Sequence, residues 1–179
     1  MDFAKSRPNS AKCSAAVPAE IFAYLGIPSW KLPLVVRQLR EIAARDVEQI
    51  SIFPWVPDVF AALQSRGISI AIVSSNTKAN IRRVLGAEVA SMIDQFGTGA
   101  PLFGKAAKIN AVIKRCESAA ELTTSIGDEV RDIEAARALG ICSLAVTWGY
   151  ATAPALEAAQ PTRVVHAPAE LLDWFAQRP

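Results

Sequence analysis

The chain has 179 residues, 51% of them apolar, with 19 basic against 17 acidic side chains and a formal net charge of +2. That length suffices for one ordinary domain with a packed core, and the near balance of charge gives no basis for a nucleic-acid or membrane-surface partner. No apolar run approaches the ~20 residues of a membrane helix, and Cys13, Cys116 and Cys142, with the lone histidine His166, form no metal-binding spacing. The thiols read as reduced, in a cytoplasmic protein.

The first residues hold Lys5, Arg7, Pro8, Asn9, Ser10 and Lys12 and lack the apolar block of a signal peptide, so 1–14 reads as irregular. Ala19 to Leu25 and Leu32 to Val47 follow as helical patterns with no strand between them. In the second, Leu34, Val35, Leu39, Ile42 and Ala43 share one stripe, and Arg37, Arg40, Glu41 and Arg45 lie off it. Residues 15–52 therefore suit a small, partial helical cap. The run Phe53-Pro54-Trp55-Val56-Pro57-Asp58 reads as the turn from cap to core, because paired prolines disfavour a continuous helix.

From Ile68 onward strand and helix patterns alternate. The order is Ile68 to Val73, a helix near Ala79 to Leu85, Met92 to Gly97, a helix from Lys105 to Cys116, and Leu122 to Ile126. A helix at Val130 to Leu139, Ile141 to Val146, Arg163 to His166 and a last helix around Pro168 to Ala176 complete it. This rhythm predicts an α/β core over 53–179 on a doubly wound parallel sheet, whose carboxyl edge is where such folds bind ligands.

Three strand ends carry chemistry. Ser74-Ser75-Asn76-Thr77 ends a buried strand and opens a helix, presenting a hydroxyl and successive amides to an anion such as phosphate; alternatively Ser75, Asn76 or Thr77 simply caps the helix. Lys105 opens a helix whose dipole it opposes, which calls for a bound anion or a neighbouring carboxylate unless the side chain is merely solvated. The stretch Gly99 to Lys105 spells GxxxxGK. Ala106, however, stands where a nucleotide loop needs the Ser or Thr that holds magnesium, and the motif falls late in the fold. At Gly127-Asp128, Asp128 suits a metal ligand with Asp132 one turn later in support, or else Asp128 caps the helix while Glu129 and Asp132 favour its positive end.

Other candidates are weaker. Thr147-Trp148-Gly149-Tyr150 lies at the same edge and reads as pocket lining or as loop packing, and His166 reads as structural. Trp30 and Trp55 flank the cap, where core burial is the plainer reading beside closure over a substrate.

In chain order, Ser74, Lys105 and Gly127-Asp128 with Asp132 resemble the second, third and fourth motifs of the haloacid dehalogenase (HAD) superfamily, most closely its phosphoglycolate-phosphatase-like members. The resemblance runs from Pro28 to Tyr150. It is carried by Ile126-Gly127-Asp128-Glu129-Val130-Arg131-Asp132-Ile133-Glu134-Ala135-Ala136-Arg137-Ala138-Leu139-Gly140 and by Leu102-Phe103-Gly104-Lys105-Ala106-Ala107-Lys108. It implies a HAD-like Rossmannoid core and a magnesium-dependent hydrolase of small phosphorylated metabolites that works through an aspartyl-phosphate. By the same resemblance Ser74, with Ser75 and Asn76, binds the transferring phosphoryl group and Lys105 neutralises it, while Asp128 ligates magnesium and Asp132 supports that site.

The family's first motif, an apolar strand ending in DxDGT, has no match in the sequence. Met1-Asp2-Phe3-Ala4 is too short, and Asp46, Asp58 and Asp94 stand in helical or turn contexts. The expectation is an inactive or severely impaired phosphatase that binds magnesium weakly, whether its start lies upstream or the gene is shortened. The alternative is a non-catalytic phosphate-binding or interaction module. In this fold the first-motif strand lies between the strands ending at Ser74 and Asp128, so its loss would leave buried backbone groups unpaired at about 1–3 kcal/mol each. Either those two strands pair directly, or N-terminal residues or another chain, as in a homo-oligomer, supply the strand.

Overall fold

The computed structural model describes residues 50–99 and 104–177 continuously, together with 26, 28–31, 34, 35, 37, 38, 41 and 45. Among these residues five short strands are all parallel to their neighbours. β1 (Ala71–Val73) pairs with β2 (Gln95–Gly97), and β3 (Thr124–Gly127), β4 (Cys142–Val146) and β5 (Arg163–Val165) form a second sheet in that order. The apolar run begins at Ile68, yet the ladder starts only at Ala71, because the Ile70 N–H is taken by the Asp94 carboxylate at 2.7 Å.

The helices are α1 (Val56–Gln64), α2 (Lys78–Ser91), α3 (Lys105–Arg115), α4 (Val130–Ala138), α5 (Ala153–Ala158) and α6 (Ala169–Ala176). Alternation along the strands distributes them over both faces. Ile72 packs with Val59 and Leu63 of α1 and Phe175 of α6, whereas the next residue, Val73, joins Ile109 of α3 and Ala136 of α4. Likewise Leu144 and Val146 of β4 meet Leu171 of α6, while Ala145 meets Ile133 of α4 and Leu156 of α5. Layers of helix on both sides of parallel strands make this an α/β fold of the doubly wound type.

α1 begins within the run expected to be the turn from cap to core, and α5 falls in a stretch with no expected element. Pro57 lies in the first turn of α1 and Pro154 in that of α5, where the missing N–H has no helical partner to lose. α2 runs six residues beyond Leu85, through Gly86, whose φ of 75° and ψ of 167° break the helical path within it. In the cap region, residues 15–25 lie outside the described residues, and Leu34, Val35, Arg37, Gln38, Glu41 and Arg45 are helical. Trp30 is 76% exposed, so the expectation of core burial fails there, whereas Trp55 is half-buried, stacked on Phe53 and edge-on to Trp148. Neither Cys116 nor Cys142 forms a disulfide, and no helix among the described residues is long and apolar enough to cross a membrane.

Direct pairing of the strands ending at Ser74 and Asp128 is not what forms. Among the described residues β1 pairs only with β2 and β3 only with β4, and both line one cavity of about 240 Å³ between the two sheets. Residues 1–25, the other source expected within the chain, lie outside the described residues.

Candidate active site

α3 ties the two sheets together at their carboxyl ends. Lys108 Nζ donates to the Ser74 carbonyl at 3.0 Å, just past β1, and Lys105 Nζ donates to Asp132 Oδ1, in the first turn of the helix that follows β3. Ser74, Lys105, Asp128 and Asp132 are thereby gathered at one sheet edge although 58 positions separate the first from the last.

The Ser74 segment is not used up in capping. Thr77 is the N-cap of α2, its Oγ1 accepting from the Asn80 N–H at 3.2 Å, so the capping role goes to the last of the three candidates. Ser74 Oγ accepts from the Asn76 N–H at 3.1 Å. Asn76 Oδ1 takes the Thr77 N–H at 2.8 Å and an Asn80 amide proton at 3.1 Å. These bonds hold Ser74, Ser75 and Asn76, all half-buried, in a fixed turn ahead of the positive end of α2.

Asp128 does not cap α4 either; Glu129 occupies that position with extended backbone, φ −130° and ψ 151°. One Asp128 oxygen, Oδ2, accepts the Tyr150 N–H at 2.7 Å, and the Asp128 carbonyl accepts the Ala151 N–H at 3.0 Å. The loop after β4 therefore orients the carboxylate through its backbone. Gly149 is needed for that approach, since a Cβ there would overlap the Asp128 side chain. The sequence offered Thr147 to Tyr150 only as edge residues; the part they play rests on a main-chain N–H, which no side-chain pattern advertises.

Asp132 is 4% exposed, and both of its oxygens are engaged, Oδ1 by Lys105 and Oδ2 by the Glu129 N–H at 3.3 Å. Here is the carboxylate that a lysine opening a helix calls for. The Lys105 ammonium is lowered from 10.5 to about 8, first by burial and next by the Arg131 charge, with Glu129 and Asp128 acting in the opposite sense. Contact with the Asp132 carboxylate also favours the charged form, so Lys105 is a cation at neutral pH. Arg131 pairs with Glu129 at 2.6 Å, while its Nε is buried with no partner.

The donors suit an anion better than a cation. Magnesium takes near-octahedral oxygen ligands, and proteins usually give it one or two carboxylates with water and phosphate completing the shell. Asp128 brings one carboxylate, Asp132 is committed to Lys105, and no group of three His, Cys, Asp or Glu that could hold a metal occurs among the described residues. These residues by themselves do not fit a tightly held magnesium ion, and no chemical step is assigned to one.

Ser, Lys and paired Asp thus stand together at the carboxyl edge of parallel α/β strands, the edge at which such folds bind ligands. The family model of haloacid dehalogenase-like hydrolases matches residues 5–146, and the chain belongs to that family. It is 29% identical over 153 residues to the phosphoglycolate phosphatase of Synechococcus elongatus, covering 85% of this chain and 72% of the relative. It is 27% identical over 146 residues to that of Escherichia coli, covering 76% of this chain and 58% of the relative, little more than half its length. A haloacid dehalogenase-like hydrolase from Streptococcus pneumoniae superposes with a TM-score of 0.77 at 23% identity, over 95% of this chain and 83% of that one, a likeness of fold.

Proposed function

We propose that the chain carries the anion-holding side of a phosphomonoester hydrolase site. Ser74 Oγ and the Ser75 N–H face a phosphoryl group with Asn76 holding the turn, Lys105 neutralises the group, and Asp132 holds Lys105 in place. Asp128 stands ready as the single protein ligand of a weakly bound magnesium. The observation that carries this reading is the double tether by α3, which sets Lys105 against Asp132 and Lys108 against the Ser74 carbonyl. Phosphoryl transfer needs positioning and charge neutralisation above all, and these residues supply both. The relatives' names, phosphoglycolate phosphatase, point to a small phosphorylated carboxylate as the class of substrate.

An attacking carboxylate is the part not in view. Among the described residues the one aspartate directly following a strand is Asp128, whose Oδ2 is held by Tyr150. The 179 residues alone are therefore expected to bind phosphate yet hydrolyse p-nitrophenyl phosphate with magnesium no faster than buffer. Robust turnover abolished by Asp128→Asn would refute the second half. Calorimetry with inorganic phosphate tests the first: a binding heat lost in Lys105→Ala, and little changed by magnesium, is the expected result, and equal heats for the two proteins would overturn it. Sulfate, which does not titrate in this range, should bind more weakly as the pH is raised above about 8, where Lys105 gives up its proton.

A further inference from the structure

Among the described residues two helices open on a lysine, and only one of these lysines is answered by a carboxylate. Lys105 at the start of α3 meets Asp132, whereas Lys78 at the start of α2, a helix with no acidic residue in its first turn, lies 4.9 Å from the centre of the Phe96 ring. Arg82, one turn further along α2, reaches the same ring at 5.9 Å, and Arg115 of α3 donates to the Phe96 carbonyl at 3.2 Å. Three cations from two helices thus converge on one residue of β2. All three are exposed, and Phe96 is half-buried.

Several other cations of the chain are matched by opposite charge or by helix-end carbonyls. Arg37 pairs with Glu41 at 3.2 Å, Arg163 with Glu170 at 3.7 Å and Arg131 with Glu129, while Arg137 donates to the carbonyls that follow α5. Around Phe96 the match is missing: among the described residues none of Lys78, Arg82 and Arg115 belongs to an ion pair. Of the carboxylates nearest in sequence, Asp94 takes the Ile70 N–H at 2.7 Å, and Glu88 stands beyond the break at Gly86. Like charges at i and i+4 repel, and cations at a helix start oppose its dipole, so both features raise the energy of the free chain. The Phe96 ring fixes where the charges stand without neutralising them.

We infer that this face is a docking surface for an acidic segment of a partner polypeptide, whose carboxylates pair with Lys78, Arg82 and Arg115. Charge complementarity sets the occupant: each arginine presents a planar fork that the two oxygens of a carboxylate match, and the lysine adds a point charge beside them. A nucleic-acid strand suits the face less well. The Phe96 ring, on which a base would stack, is already engaged by two cations, and a net charge of +2 supplies little long-range field. The chain's own amino-terminal stretch is no complement either, since Lys5, Arg7 and Lys12 outweigh Asp2 and Glu20 there, and Asp46 and Glu48 stand beside Arg40 and Arg45. The inference rests on α2, α3 and β2 alone and is independent of the phosphate reading.

The test uses the full chain and a labelled synthetic peptide in which glutamate alternates with serine, beside the same peptide with glutamine in place of glutamate. Expected are saturable binding of the glutamate peptide by fluorescence anisotropy at low salt, an affinity that falls steeply as salt is added, and no binding of the glutamine peptide. Lys78→Gln combined with Arg82→Gln should weaken binding at least about tenfold. Lys31→Gln combined with Arg37→Gln, which removes the same charge elsewhere, should leave it unchanged. Both altered positions of α2 are exposed; Lys78→Glu, which suits a helix start, serves as the second variant if the double one folds poorly, with a comparable loss expected. Equal binding by these α2 variants, equal binding of the glutamine peptide, or no saturable binding overturns the inference. So does tighter binding of a single-stranded oligonucleotide that is lost in the same variants, which would assign the face to nucleic acid.

Discussion

Replacing Asp132 with alanine is expected to destabilise the fold by about 3 kcal/mol. Removing one member of a buried ion pair typically costs 3–5 kcal/mol, because the partner charge is left desolvated and unanswered. Lys105 retains 27% of its side-chain surface and recovers some water, which places the effect at the lower end of that range. The Glu129 N–H loses its acceptor at the same time. Asp132→Asn keeps an acceptor for that N–H but not the charge, so it should cost about half as much. Urea unfolding of both variants provides the measurement, and a loss below about 0.5 kcal/mol for the alanine, the range of ordinary surface substitutions, would show that the pair is not made. The double variant Lys105→Met with Asp132→Ala should be more stable than the sum of the single losses predicts, since the stranded charge is gone.

Gly127→Ala is expected to cost a similar amount by a different route. Gly127 ends β3 in register with Ala145, and a Cβ there would run into the Asp132 side chain at both Cβ and Cγ. Asp132 Cβ is fixed to the helix backbone, so relief requires shifting α4 against β3. Overpacking of this kind costs about 1–3 kcal/mol, and displacement of the buried Asp132 from its pairing with Lys105 places it near the upper limit. A drop in melting temperature of about 6–12 °C follows for a chain of this size. Phosphate affinity should fall with it, which separates this site from an ordinary core position; a melting curve like that of the unaltered protein would refute the close approach.

Both predictions concern a region that the sequence made partly legible. Alternation of apolar strands with helical patterns located β1 to β5 to within three residues at each end, since buried parallel strands are short apolar runs bounded by turn residues. Of the two overlooked helices, α1 has in its first turn a proline read as part of a turn, although a helix start tolerates that residue, and α5, with Pro154 in its first turn, is only six residues long. At the site, Gly127-Asp128 and Lys105 were legible as types of residue in order. Their mutual arrangement was not: that Asp132 takes Lys105, and that the Tyr150 amide takes Asp128, depends on how α3 and the loop after β4 pack. Gly149 was invisible for the same reason, because the atom it makes room for is 21 residues away.

The division of the sheet also bears on how the molecule comes apart. Among the described residues the backbone ladder is continuous within β3, β4 and β5 and within β1 and β2, and the two groups are joined by α3 packed on α4 and by α1 packed on α6. Side-chain packing couples units less rigidly than a hydrogen-bonded ladder does. The β1–β2 group with α2 and the β3–β5 group with α4 and α5 should therefore open as separate cooperative units, the former first because its strands are three residues long and incompletely buried. For the described residues, two thresholds in denaturant are then the expected result, read by hydrogen exchange in the two groups of strands.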